Sequence, residues 1–262
     1  MSQTTRPVAL ITGGSRGIGA ATAVALAARG YDVALTYRNK AARAETVAEQ
    51  VRAQGGDALT IGGDMTQAED LQRLIAAFTA WRPRLDALIL NASGGLEKVA
   101  RGADPDYPMR INRDAQVALV EAALPLMPAG GVITLVTSHW AVLYGRVPQL
   151  PAYEEVARSK RAGEDALRAR QADFAARGLR LLFVTGDVIE GTVTPRLLER
   201  VTPGLAAARR QETGELPSVS DMAEAIASAT ADSTLPSGHM VVVGGLLEAM
   251  LAAAGLGPDG AE

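Results

Sequence analysis

Short apolar runs alternate with longer amphipathic stretches along the whole chain. The apolar runs cover residues 8–12, 32–37, 58–62, 87–91, 131–137, 179–185 and 240–243. Most are rich in Val, Leu and Ile and lack the strict polar alternation of a sheet wetted on one side, so they read as strands buried on both faces. Helix-like stretches lie between them at 18–29, 41–54, 67–81, 112–127, 153–177 and 220–231. Strands and helices taken in turn imply a parallel sheet with right-handed crossovers and helices on both faces. A ligand crevice is then expected outside the carboxyl ends of the strands. No repeat, low-complexity tract or linker breaks the pattern, so residues 1–262 read as one domain. Segments 97–110 and 192–219 are long and irregular and fall on the carboxyl side, where such segments usually bind substrate. The Gly-rich stretch 254–262 is expected to fray, or to fold over a neighbouring subunit.

The first apolar run ends in Thr12-Gly13-Gly14-Ser15-Arg16-Gly17-Ile18-Gly19, and a helix rich in Ala follows. Glycines at that position let backbone N–H groups approach a pyrophosphate, and the helix start behind them offers orphan donors and a positive dipole end. Strand, glycine turn and helix in this order form a dinucleotide-binding pattern, in which Gly13, Ser15, Arg16, Gly17, Ile18 and Gly19 would line the phosphates. After the second run the chain reads Leu35-Thr36-Tyr37-Arg38-Asn39, with no acidic residue for a free ribose 2′-hydroxyl. A guanidinium there can hold a 2′-phosphate by paired, charge-assisted hydrogen bonds, and Arg16 adds a second positive charge nearby. This charge pattern points to NADP(H) as the cofactor.

The Thr-Gly-x-x-x-Gly-x-Gly spacing resembles the short-chain dehydrogenase/reductase (SDR) family, and the resemblance extends over nearly the whole chain. It implies an α/β fold of Rossmann type, a doubly wound, seven-stranded parallel sheet. By the same resemblance Asp64 and Met65 would meet the adenine, and Asn91 would support the central sheet. The backbone near Val188 or Ile189 would meet the carboxamide, and Thr192 a phosphate. Val241-Val242-Val243-Gly244-Gly245 resembles the family's closing strand, and Thr185 stands where the family has a Pro.

Reduction of a carbonyl needs an acid beside the oxygen, a second donor to orient it and a cation to ease proton loss from a phenol. In the family these are Tyr, Ser and Lys, with an Asn completing a relay, and Ser138, Lys160 and Asn112 match three of the four. The fourth departs: four residues before Lys160 stands Val156, and the nearest phenol is Tyr153, seven before it. Seven helical steps return to within about 20° of the same face but rise about 10.5 Å, against about 6 Å for four. In one reading Tyr153 is the acid of a ketoreductase-like body, with Lys160 also serving the cofactor ribose. The wide Tyr–Lys spacing also resembles the divergent enoyl-thioester reductases of the family, for which Tyr144 would be a second tyrosine. In a third reading Val156 truly replaces the acid, and the chain binds NADP(H) without turnover. His139 and Trp140 either touch substrate or pack, and the charges Arg158, Arg161, Glu164, Asp165, Arg168 and Arg170 read as a salt-bridged face.

Composition narrows the remaining classes. Hydrophobic residues make up 48% and aromatics 4%, so the core is built from Ala, Val, Leu and Ile. A formal net charge of −3 argues against nucleic-acid and anionic-membrane partners. The start MSQTTRP lacks the apolar core of a signal peptide, no run reaches membrane-spanning length, and zero Cys fits a cytoplasmic setting. Two His residues are too few for a histidine metal site, so no metal is expected. The expected partners are a small carbonyl or acyl-thioester substrate and, by resemblance, further copies of the chain as a homodimer or homotetramer.

Overall fold

In the computed structural model, which describes residues 6–96 and 104–253, seven strands form one sheet in the order β3-β2-β1-β4-β5-β6-β7. The strands are β1 Val8–Ile11, β2 Asp32–Tyr37, β3 Ala58–Gly62, β4 Ala87–Leu90, β5 Val132–Val136, β6 Arg180–Gly186 and β7 Met240–Val243. Every neighbouring pair is parallel. The expected Rossmann-type doubly wound sheet is therefore the observed one, and its strand positions differ from the expected runs by one residue at most at either end.

The physical basis is visible in β1. Val8 and Leu10 enter one core with Phe78, Leu88, Leu119 and Phe183, while Ala9 and Ile11 enter another with Leu26, Val33, Val47 and Ile226. A strand's side chains alternate between faces, so an unbroken apolar run feeds both cores at once. Helices α1 Gly17–Ala28, α2 Ala41–Ala53 and α9 Val219–Ala231 supply the second core. Helices α3 Ala68–Trp81 and α4 Ala115–Ala123 supply the first.

Four expectations need correction. The helix expected over 112–127 is divided: a π turn at Arg110–Asp114 precedes α4, and a 3₁₀ turn at Leu124–Leu126, with Pro125 inside it, ends it. The long helix expected over 153–177 is α5 Glu154–Arg168 followed by α6 Gln171–Ala176. Segment 192–219 is not irregular, since it folds into α7 Val193–Val201 and α8 Leu205–Thr213. Gly204, in a left-handed conformation at φ 86°, starts α8. The sequence pattern also missed α10 Leu246–Ala253 and the single turn His139–Val142. The tail 254–262 and most of segment 97–110 lie outside the described residues.

Candidate active site

Strand order reverses between β1 and β4, and at this switch point the turns after the two strands diverge and open a crevice. The Thr12 hydroxyl accepts hydrogen bonds from the N–H groups of Asn91 and Ala92 at 2.9 and 2.8 Å, and Asn91 Nδ2 donates to the Thr12 carbonyl at 2.9 Å. Asn91 thus ties the two strand ends together at the floor of the crevice.

The crevice holds a cleft of about 410 Å³. Its walls include Gly13, Ser15, Arg16, Gly17, Ile18, Arg38, Asp64, Met65, Asn91 and Thr192. Gly19 packs behind the turn, where a Cβ would come within 2.5 Å of Asn91 Nδ2 and of the Gly13 carbonyl oxygen. Gly13 and Gly17 adopt φ values of 68° and 55°, which side chains rarely tolerate. Helix α1 starts with neither a side-chain cap nor an acidic residue in its first turn. Backbone N–H groups therefore remain for an anion, in a cradle where a Cβ at Gly13 or Gly14 would crowd Ala92 or Leu35, and a dinucleotide pyrophosphate fits this arrangement. Val188 is buried and absent from the cleft wall, and the Thr192 hydroxyl donates to the Ile189 carbonyl at 2.9 Å.

Tyr153 is the N-cap residue of α5, and with Val156 it lines the other end of the cleft. Both belong to an apolar cluster with Leu96, Trp140, Ala157 and Leu198, against which Tyr144 also packs. The Tyr153 phenol lies beside the Ser138 side chain. Burial raises its pKa above the usual 10, Ser138 offsets part of the rise, and the Asp187 carboxylate adds to it. Ser138 stands at the end of β5, where its Oγ accepts from the Ala141 N–H at 3.3 Å.

Lys160 is held elsewhere. Its Nζ donates to the Val136 carbonyl at 3.3 Å, and it lines a separate chamber of about 10 Å³ with Ala92, Asn112, Gln116, Leu135, Val136 and Thr137. That volume corresponds to about one water molecule, and among its mostly apolar walls Asn112, Gln116 and Thr137 offer polar groups. Burial lowers the ammonium from 10.5 to about 8. Asn112, in the π turn, donates from Nδ2 to the Gly94 carbonyl at 3.0 Å and to Ser159 Oγ at 2.9 Å, and its Oδ1 accepts from the Gly94 N–H at 3.3 Å. The four catalytic candidates thus form two groups, Ser138 with Tyr153 and Asn112 with Lys160, joined through α5 and through Ala92, which borders both spaces.

Four further residues escaped sequence reasoning. Gln116 faces the chamber and donates to the Ala92 carbonyl at 2.6 Å. Asp187 receives the Trp140 Nε1 hydrogen bond at 2.9 Å and pairs with Arg209 at 3.1 Å, fastening α8 beside the tyrosine. Tyr107 accepts from Arg38 Nη1 at 2.7 Å. Gln116, Tyr107 and Arg209 lie in no motif, and Asp187 lies in the Thr185–Thr192 segment without a role there, so tertiary placement marks them. His139 proves to be a packing residue: it is fully buried, its Nδ1 is bonded to the Thr185 hydroxyl at 3.0 Å, and desolvation lowers its pKa to about 4. On α5 Arg158 pairs with Glu155, Arg161 with Asp165 and Arg168 with Glu164, but Glu164 is buried rather than on a solvated face, and Arg170 lies beyond the helix.

The short chain dehydrogenase family model matches residues 7–200, so the chain belongs to that family. It is 34% identical over 176 residues to a hydroxynaphthalene reductase of Aspergillus fumigatus, covering 65% of this chain and 62% of that protein. It is 31% identical over 188 residues to a 1-cyclohexenylcarbonyl-CoA reductase of Streptomyces collinus, covering 71% and 65%. The match thus spans just under two thirds of the length of each relative. A short chain dehydrogenase from Burkholderia cenocepacia, crystallised in complex with NADP, superposes with a TM-score of 0.78 at 27% identity, covering 90% of this chain and 96% of that one. Among the described residues no helix is long and apolar enough to cross a membrane, and no group of three or more His, Asp or Glu could hold a metal ion.

Proposed function

We propose that the protein is an NADP(H)-dependent carbonyl reductase in which Tyr153 is the proton donor. The observation that carries this reading is Tyr153, which lines, with Val156, the same cleft as the glycine cradle and has Ser138 beside it. The dinucleotide, when bound, supplies the hydride. Ser138 and Tyr153 present two hydroxyls to a carbonyl oxygen, one orienting it and one giving up a proton as negative charge develops. The apolar walls of Leu96, Val156 and Leu197 exclude water and favour an uncharged ketone. Lys160, in the adjoining chamber that Ala92 also borders, would favour by its charge the phenolate left after proton transfer. Asn112 fixes the π turn against Ser159, the residue before Lys160. Arg38 and Arg16 would hold the 2′-phosphate, Asp64 and Met65 the adenine, and Thr192 a phosphate.

The reductase names of the two relatives and the NADP held by the Burkholderia structure support this reading. Enoyl reduction is the second reading, favoured by the Tyr153–Lys160 spacing and by the relative that acts on a cyclohexenylcarbonyl-CoA. NADPH oxidation assayed with a 3-ketoacyl thioester, the matching 2-enoyl thioester and a panel of small cyclic ketones separates the two. Tyr153→Phe is expected to lower ketone turnover by about a hundredfold or more, with NADPH affinity changed less than about twofold. Undiminished turnover in that variant refutes the role of Tyr153.

A further inference from the structure

Arg38 sits on the loop after β2 with a half-exposed side chain, and a long guanidinium in that position samples many rotamers. Two groups restrain it. Tyr107 accepts a hydrogen bond from Nη1 at 2.7 Å, and Asp64 Oδ2 lies 4.0 Å from the same nitrogen. Both act on Nη1, so the edge formed by Nε and Nη2 has no partner among the described residues. That edge is the pair of parallel donors that grips a phosphate in bidentate fashion. Tyr107 is itself a rigid support. It is only 7% exposed, its ring lies so close to Gly94 that a Cβ there would be 3.0 Å from Cε1, and Asn112 clamps the Gly94 backbone from the far side.

We propose that Tyr107 is a positioning residue for cofactor selectivity: by holding Arg38 through Nη1 it presents the Nε–Nη2 edge to the 2′-phosphate in the cleft that both residues line. The inference rests on the NADP(H) reading and deepens it. A carboxylate within 4.0 Å would otherwise draw the whole guanidinium toward itself, and Asp64 would then repel the phosphate rather than be screened from it. The phenol is a neutral acceptor, so it fixes the arginine without neutralising it.

The test uses cofactor fragments and needs no turnover. Calorimetry would measure binding of adenosine 2′,5′-bisphosphate and of 5′-AMP to the unaltered chain, Tyr107→Phe, Arg38→Ala and the double variant. The unaltered chain should prefer the bisphosphate at least about tenfold. Tyr107→Phe keeps the ring against Gly94 and should narrow that preference about three- to tenfold, while 5′-AMP affinity changes less than about twofold. In the Arg38→Ala background the same substitution should have no further effect, as expected of a residue acting through Arg38. An unchanged or widened preference in Tyr107→Phe overturns the proposal, and so does an equal loss with and without Arg38. If the unaltered chain shows no preference, the NADP(H) reading fails first and takes the proposal with it.

Discussion

Replacing Lys160 by Met should make the protein more stable while impairing it as a catalyst. Met is nearly isosteric with the lysine stem, and the substitution removes an ammonium that the fold holds in a mostly apolar chamber of about 10 Å³. Burial lowers that ammonium from 10.5 to about 8. At pH 7 the unfavourable term this implies is about 3 kcal/mol, and at pH 9.5, where the folded form is neutral, it falls to about 1 kcal/mol. The sign follows from proton counting. Between pH 8 and 10.5 the unfolded chain binds more protons at this site than the folded one, so the native protein gains stability as pH rises through that window. The hydrogen bond to Val136, 3.3 Å long, offsets about 1 kcal/mol of the gain from substitution. The net expectation at pH 7 is a stabilisation of about 2 kcal/mol. Urea unfolding of both proteins at pH 7 and pH 9.5 would measure it, and comparing the two cancels every other titrating group. The gap should close by about 2 kcal/mol at the higher pH. A Lys160→Met variant that is less stable at pH 7, or a gap that does not move with pH, would show that the ammonium is not desolvated. The accompanying loss of turnover would mark Lys160 as a group kept for function against its cost to the fold.

Two other substitutions probe the scaffold. Gly163→Ala places a methyl well inside contact distance of the Asn112 carbonyl oxygen, and should cost about 1–3 kcal/mol and lower turnover by shifting the π turn. A change in urea midpoint equivalent to less than about 0.5 kcal/mol would show that α5 and the turn are not closely apposed. His139, with a folded pKa of about 4 against 6.5 unfolded, should contribute stability near neutrality that is lost as pH falls from 6.5 to 4. His139→Gln should remove that dependence, so the stability gap between the two proteins should shift by about 2–3 kcal/mol between pH 7.5 and 4.5. A constant gap would mean that the imidazole is not held neutral.

The strands, the glycine cradle and the family were legible in the linear chain because each depends on local order. A parallel strand buried on both faces must be apolar at every position, and a phosphate cradle needs glycines at fixed spacing before a helix. Ser138, Asn112 and Lys160 were picked out by motif spacing: Ser138 follows β5, while Asn112 lies inside the π turn and Lys160 inside α5. The breaks in the helices were less so. The π turn at Arg110–Asp114 is held by the Asn112 bonds to Gly94 and Ser159, partners 18 and 47 residues away, which no helical periodicity records. Likewise α7 and α8 form where the chain is polar and Gly-punctuated, because Leu198 packs into the Tyr153 cluster and Arg209 reaches Asp187.

The tyrosine shows the division most clearly. Sequence alone determined that the phenol was displaced by three residues from the family's position, and left open whether it could still serve. Tertiary structure decided which neighbour it meets: Tyr153 stands at the N-cap of α5 beside Ser138, while Lys160, two turns further along, drops into a chamber of its own beside Asn112 and Gln116. Spacing along a helix fixes direction and rise, but the depth at which a side chain is buried depends on what packs against it. For Tyr153 and Lys160 those neighbours come from β5, the π turn and α7, all distant in sequence.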